Sequence, residues 1–323
     1  MLSAETTLRG VRTVTAGETF SLSMPLDYPK VSLLNAARHP PVIRPTQRTD
    51  TIVNYNVDLG ALDPGRTDVL SDDLAVIYLQ YSTQWDSFAH AGSKFDVDGS
   101  GSPVPVYYNG YRAGTDIAGT SDVAESGLRQ GAAVEETAHA HALGIENMAQ
   151  TGVQGRAVLV DLAAHFGLER QVIGFEQWRH VLETDDIVIE PGDMVLVHTG
   201  FVEYIMESGG DPDPEELARR GAVLDGTDQQ LLQWITDSGI VAIAADNYAV
   251  ENYPGVRTEH SASILPLHEH CLFKLGVHLG ELWRLTPLAH WLRENKRTSF
   301  LLTAPPLMLS GAVGSPVTPV ATV

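Results

Sequence analysis

The chain has 323 residues, 43% of them hydrophobic and 19% charged, enough apolar material for a sizeable core and too much for a disordered polymer. Lysine and arginine number 21 against 41 acidic residues, so the net charge is −20, which argues against a phosphate backbone or an anionic membrane as partner while leaving room for a local cationic pocket. One cysteine, Cys271, excludes an intramolecular disulfide and a thiolate zinc cluster. In chain order, MLSAETTLRG lacks the basic region and apolar stretch of a signal peptide, and no later apolar run approaches the roughly 18 residues of a membrane span, so a cytoplasmic protein is expected. Alternation of polar and apolar residues predicts half-buried strands over 19–24 and, in part, 51–56, and the run LAVIYL (74–79) predicts a buried strand. A Gly/Pro/Asp-rich loop spans 96–114. An alanine-rich segment with apolar residues at Ala138, Ala142, Ile145 and Met148 predicts a helix over 135–149. RAVLVDL (156–162), DMVLV (193–197) and IVAIA (240–244) read as buried strands, and 299–304 as another. Helices are expected over 215–221, 228–238 and 268–275. Strands and helices mixed without a strict βαβ rhythm, repeat or long linker predict a single α/β domain over 1–323 with layered mixed sheets.

The most chemically loaded stretch is QYSTQWDSFAH, Gln80 to His90. Two amide oxygens and a carboxylate at a strand end can hold a divalent cation, and a nearby imidazole can move a proton. On spacing alone, a polar turn with two solvated glutamines is the favoured reading, because glutamine is an infrequent ligand.

The same segment resembles the H-x-G-T-H-x-D-x-P-x-H signature of the metal-dependent cyclase hydrolases, a family with kynurenine formamidases, isatin hydrolases and cyclic imide hydrolases. Thr83, Asp86 and His90 align, Gln80 and Gln84 replace the first two histidines, Ser82 the glycine and Phe88 the proline. VYYNGYRAG (106–114), GVQGRAVLVDL (152–162), GDMVLVHTG (192–200), LGVHLGELW (275–283) and LLTAPPLMLSGAVGSPVTP (301–319) are familial as well, so the resemblance covers about three-quarters of the chain. The paired glutamines resemble the branch that contains trans-dienelactone hydrolase. The resemblance implies an α/β fold with a swivelling β/β/α core and a homo-oligomer, dimer or tetramer. It also implies a metal site of Gln80, Gln84, Asp86, His268 and Glu281, with His90 as general acid/base. Amide and carboxylate oxygens in place of imidazoles move the preference from Zn²⁺ towards Mn²⁺. The implied reaction is opening of a small cyclic ester, amide or imide by a metal-activated water. Two alternatives use the same residues: an arylformamidase acting on an N-formyl arylamine, and a metal-poor member that binds a small molecule without turnover.

Around the motif, Trp85, Phe88 and Tyr108 are expected to supply part of a pocket wall, although aromatics so near a strand end are more often core. Arg112 and Arg257 are candidate anchors for a substrate carboxylate or, equally, surface ion pairs. His198, ending the strand VLVH, either points into the site or is a hydrogen-bonded core histidine. Asp96–Gly101 (DVDGSG) mimics the start of an EF-hand loop, but Tyr107 stands where the bidentate glutamate belongs, so an Asp/Gly turn is the better reading.

Overall fold

Three apolar runs become neighbouring parallel strands. The computed structural model describes residues 2–127, 135–259 and 261–323. Nine strands share one mixed sheet: β1 (Thr19–Ser21), β2 (Gln84–Asp86), β3 (Gln154–Asp161), β4 (Met194–His198), β5 (Ala242–Ala245), β6 (His278–Glu281), β7 (Ser299–Thr303), β8 (Gly314–Pro316) and β9 (Val320–Thr322). Their order is β1-β9-β7-β3-β4-β5-β6-β2-β8. The block β3-β4-β5-β6 is parallel, and the strands on either side of it are antiparallel.

Alternation along each strand sorts the core into two layers. Val158, Val160, Val195, Val197, Ile243 and Leu279 face one layer, where Trp178 and Val181 of the helix Phe175–Thr184 and Leu231 and Ile235 of Gln229–Ser238 pack on them. Ala157, Leu159, Leu196, Ala242 and Ala244 face the other, against Leu288 and Leu292 of the helix Thr286–Glu294. A parallel strand buried on both faces must be apolar throughout, which is why these runs were readable.

Two expectations fail. Residues 73–76 form a strand, but it pairs with Val42–Thr49 in a small outlying sheet and is largely exposed. The buried strand is the polar triplet Gln-Trp-Asp of β2 itself. The expected helix over 135–149 is instead a strand, Ala138–Ala140, and a short helix, Ile145–Gln150, separated by Leu143 at φ 65° and Gly144. Asp96 and Asp98 accept from the backbone N–H groups of Ser100 and Gly101, the expected Asp turn.

Candidate metal centre

The site is assembled by register. In β2, Gln84 and Asp86 share one face and Trp85 takes the other. Antiparallel pairing sets Leu279 opposite Asp86, Gly280 opposite Trp85 and Glu281 opposite Gln84, so Glu281 joins the carboxylate face. Gly280 is required there: a Cβ would stand 3.0 Å from the Trp85 ring and 2.9 Å from that of Trp283. From the opposite side comes His268, where the short helix Pro266–His268 passes into the wide turns of Glu269–Leu275.

Asp86, His268 and Glu281 are buried, and one ligand atom from each lies within 4.8 Å of the others. His268 Nε2 is 3.3 Å from Glu281 Oε1 and 3.9 Å from Asp86 Oδ2. Both Asp86 oxygens lack a hydrogen-bond partner among the described residues. A fully buried carboxylate without a donor is expensive, and a divalent cation is the group that would satisfy it. Two carboxylates and an imidazole also suit Mn²⁺ or Zn²⁺ chemically.

Glu251 fixes the histidine. Its Oε1 accepts from the His268 backbone N–H at 2.9 Å and from the ring Nδ1–H at 2.8 Å, and its Oε2 accepts from Leu267 N at 2.7 Å. The carboxylate thereby holds the tautomer and turns Nε2 towards Asp86 and Glu281. Burial by itself would lower the His268 pKa, but the hydrogen bonds to Glu251 and Glu281, and then their charges, carry it up to about 10. Burial pushes Asp86 up, His90 pulls it back and Glu281 pushes it up again, for a net rise. Burial acts upward on Glu281 too, yet its hydrogen bond to His268 leaves it below the usual range. In the metal-free cluster the raised His268 and the lowered Glu281 together favour an imidazolium facing an ionised Glu281.

His90 stands at the edge, its side chain one-fifth exposed, with Nε2 3.9 Å from Asp86 Oδ1. Its Nδ1 meets the Gln80 amide at 2.7 Å. An amide can present either N–H or C=O, so Gln80 can serve either ring tautomer as a proton moves. Gln80 engages His90 through its amide nitrogen. With its amide oriented so that nitrogen faces these carbonyls, Gln84 donates to Gln80 O at 2.7 Å and Ser82 O at 3.2 Å. Arg38 Nη1 donates to Gln80 O at 2.7 Å, and its charge acts on Asp86 and Glu281. Neither Arg38 nor Glu251 carried a sequence signal: the first lies in an irregular N-terminal stretch, the second in a turn after β5. Backbone strain gathers here, with Ala249, Val250 and Leu282 all at φ between 59° and 69° beside Glu251 and Glu281.

The expected pocket residues fall elsewhere. Trp85 is a core residue on the far face, donating to Ala304 O at 2.8 Å and packed edge-on to Trp283. Phe88 stacks on His278 at 4.0 Å and meets Tyr108 at 5.1 Å, an aromatic group packed with the Glu269–Leu275 side. Arg112 is an exposed loop residue 3.9 Å from Asp98. His198 is held on both nitrogens, by Asp161 at 2.7 Å and Thr286 Oγ1 at 3.0 Å, and so is the core-histidine alternative.

A family model for putative cyclases matches residues 20–252. Among solved structures, one of a novel cyclase is 28% identical, with the match covering 100% of this chain and 92% of the other at a TM-score of 0.71. Isatin hydrolase A from Labrenzia aggregata, bound to benzyl benzoate, is 14% identical over 95% of this chain and 94% of its own, with a TM-score of 0.56. An isatin hydrolase bound to the product analogue thioisatinate is 13% identical over 100% and 99%, with a TM-score of 0.54. At those identities the two isatin hydrolases share the fold. No curated protein sequence matches the chain. The family match contains Gln80 to His90 and Glu251, and pairing of β6 on β2 adds Glu281 from beyond it. The chain belongs to the putative cyclase family.

Proposed function

We infer that the protein is a metal-dependent hydrolase that opens a small cyclic amide or ester. The observation that carries the reading is the buried Asp86 carboxylate, both oxygens unpartnered among the described residues, facing His268 and Glu281. Asp86, His268 and Glu281 would hold the cation, with Gln84 beside them on the same face. When bound, a divalent cation supplies polarisation of a substrate carbonyl and acidification of a water, which together allow hydrolysis near neutral pH. His90 takes the proton of the attacking water and returns it to the leaving oxygen or nitrogen. Gln80 keeps its ring oriented in both states, and Glu251 holds His268 Nε2 towards the carboxylates.

The isatin hydrolases that share the fold support a cyclic amide, and the Gln80/Gln84 pair favours a lactone. Elemental analysis followed by a lactone, cyclic imide and N-formyl arylamine panel with Mn²⁺ or Zn²⁺ tests the reading. About one or more ions per chain with ring opening is expected. Failure to take up metal under any loading condition refutes it, and turnover of the formamide alone would replace it with the formamidase. The chain is further proposed to act as one domain and to self-associate. Exposed apolar side chains gather on residues 42–74, among them Ile43, Val53, Tyr55, Val69 and Leu74. Light scattering of Ile43→Glu/Val53→Glu should show a smaller species than the parent, and an unchanged mass would remove this surface from consideration.

A further inference from the structure

Arg170 and Arg220, from two paired segments of this acidic chain, have no carboxylate partner among the described residues. Backbone pairing joins their two segments: Glu169 and Arg220 form an antiparallel bridge, and Arg170 N donates to Arg219 O at 2.7 Å. Arg170 Nη2 donates to the neutral Asn252 Oδ1 at 3.0 Å, and the Arg220 guanidinium lies 4.6 Å over the Tyr204 ring. Among the described residues neither guanidinium has a carboxylate at ion-pair distance. Arg179 and Arg219, both on the surface, show the ordinary alternative, each paired with a glutamate one helical turn away. Two neighbouring cations without a counter-ion repel, and acids outnumber bases 41 to 21 in this chain, so a partner was easily available.

Both arginines line one cavity of about 390 Å³, whose other walls include Leu33, Phe201, Leu217 and Tyr253. Asn247 belongs to the same lining and is buried. Its amide nitrogen is used on Ala222 O at 2.7 Å, while its Oδ1 has no partner among the described residues. Leu34 and Tyr248 line this cavity and also the small recess formed with Arg38 and Gln80, the latter bonded to His90. The Tyr248 hydroxyl feels the charge of Glu281. Leu34 and Tyr248 thus join the arginine-lined cavity to the recess that holds Gln80, the hydrogen-bond partner of His90.

We propose that this cavity receives the carboxylate-bearing arm of the substrate. The anion is held by the Arg170–Arg220 pair, the apolar or aromatic body lies against Leu33, Phe201, Leu217 and Tyr253, and the reacting carbonyl points towards Asp86, His268 and Glu281. Guanidinium forks match a carboxylate geometrically, and the volume suits a molecule of one or two rings. Only the orientation of the carbonyl rests on the hydrolase reading.

The test needs no turnover. Benzoate, phenylacetate and 3-phenylpropionate, each beside its neutral amide, are titrated by calorimetry into the full chain stripped of divalent cations. At least one acid should bind tenfold or more tightly than its amide. That preference should vanish in Arg170→Gln/Arg220→Gln, with amide binding unchanged. Arg170→Gln alone, at the exposed rim, should weaken the acid at least threefold and covers the case in which the double variant does not fold. Equal binding of acids and amides, no binding of either at millimolar concentration, or an unchanged acid affinity in Arg170→Gln would overturn the proposal. Arginine-dependent acid binding by a protein that opens no ring would leave this site standing and remove the hydrolase reading, and ring opening without acid preference would do the reverse.

Discussion

Asp86→Asn should move stability in opposite directions with and without metal. In the metal-free protein the wild-type carboxylate is fully buried, receives no hydrogen bond from the described residues and lies near Glu281, so its pKa is driven up. Asparagine keeps the shape, removes the charge and offers an N–H to the neighbouring acid. Relief of one unsatisfied buried polar group is worth about 1–3 kcal/mol. At this chain length each kcal/mol corresponds to about 1.5 °C, so the metal-free variant should melt roughly 2–4 °C higher than wild type. A cation at a hundred times its dissociation constant adds about 2.7 kcal/mol to the wild type, or about 4 °C, and the variant should lose that increment. Differential scanning fluorimetry with chelator and with Mn²⁺ reads both terms. A variant that melts lower than wild type in chelator, or keeps the Mn²⁺ shift, would refute the assignment of Asp86 as a ligand.

The other predictions probe the neighbours of Asp86. His90→Ala should lower kcat by about 10²–10⁴ with the cation still bound, and equal loss of metal by elemental analysis would recast His90 as a ligand. In Glu251→Gln the amide oxygen can keep both His268 contacts, but its NH₂ group then faces Leu267 N–H, at a cost of about 1–3 kcal/mol. The same variant should weaken cation affinity about 10–100-fold in a metal titration, and wild-type affinity would reduce Glu251 to a helix-end acceptor. Because His268 titrates at about 10 rather than 6.5, the metal-free protein has that stabilisation in full below about pH 6.5 and loses it as pH climbs to 10. With Mn²⁺ displacing the proton, melting temperature should be nearly flat across that window, and parallel curves with and without metal would show that the ring does not exchange its proton for the ion.

How much of this was legible depended on how local each cause is. β3, β4 and β5 are apolar on both faces, so their burial is written in consecutive residues, and Asp86, His268 and Glu281 could be named from the resemblance before any geometry was known. Trp85 was legible and misread. Alternation in a strand sends it to the face opposite Gln84 and Asp86, and that rule needed only β2 to be recognised as a strand. It was not, because a three-residue polar strand has no apolar signature; it is held in the sheet by β6 and β8, which lie far along the chain. Arg170 and Arg220 are fifty positions apart on segments joined by backbone pairing, while Glu251 acts on a residue seventeen positions later.

The departures from local rules coincide in space. A polar triplet occupies an interior strand, a buried carboxylate lacks a donor, and a β-branched residue, Val250, takes a left-handed backbone at φ 60°. Each is unfavourable alone, the backbone by about 1–3 kcal/mol, and a sequence selected only for stability would replace all three. All three bear on the same atoms: β2 presents Asp86, the turn through Ala249 and Val250 delivers Glu251 to His268, and Leu282, left-handed as well, follows Glu281 directly. The surrounding hydrophobic layers are regular and supply the stability that this cluster spends. The strain therefore belongs to the carboxylate–histidine geometry, and Asp86→Asn, which relieves the donorless carboxylate, should stabilise the metal-free fold and disable the site in one step.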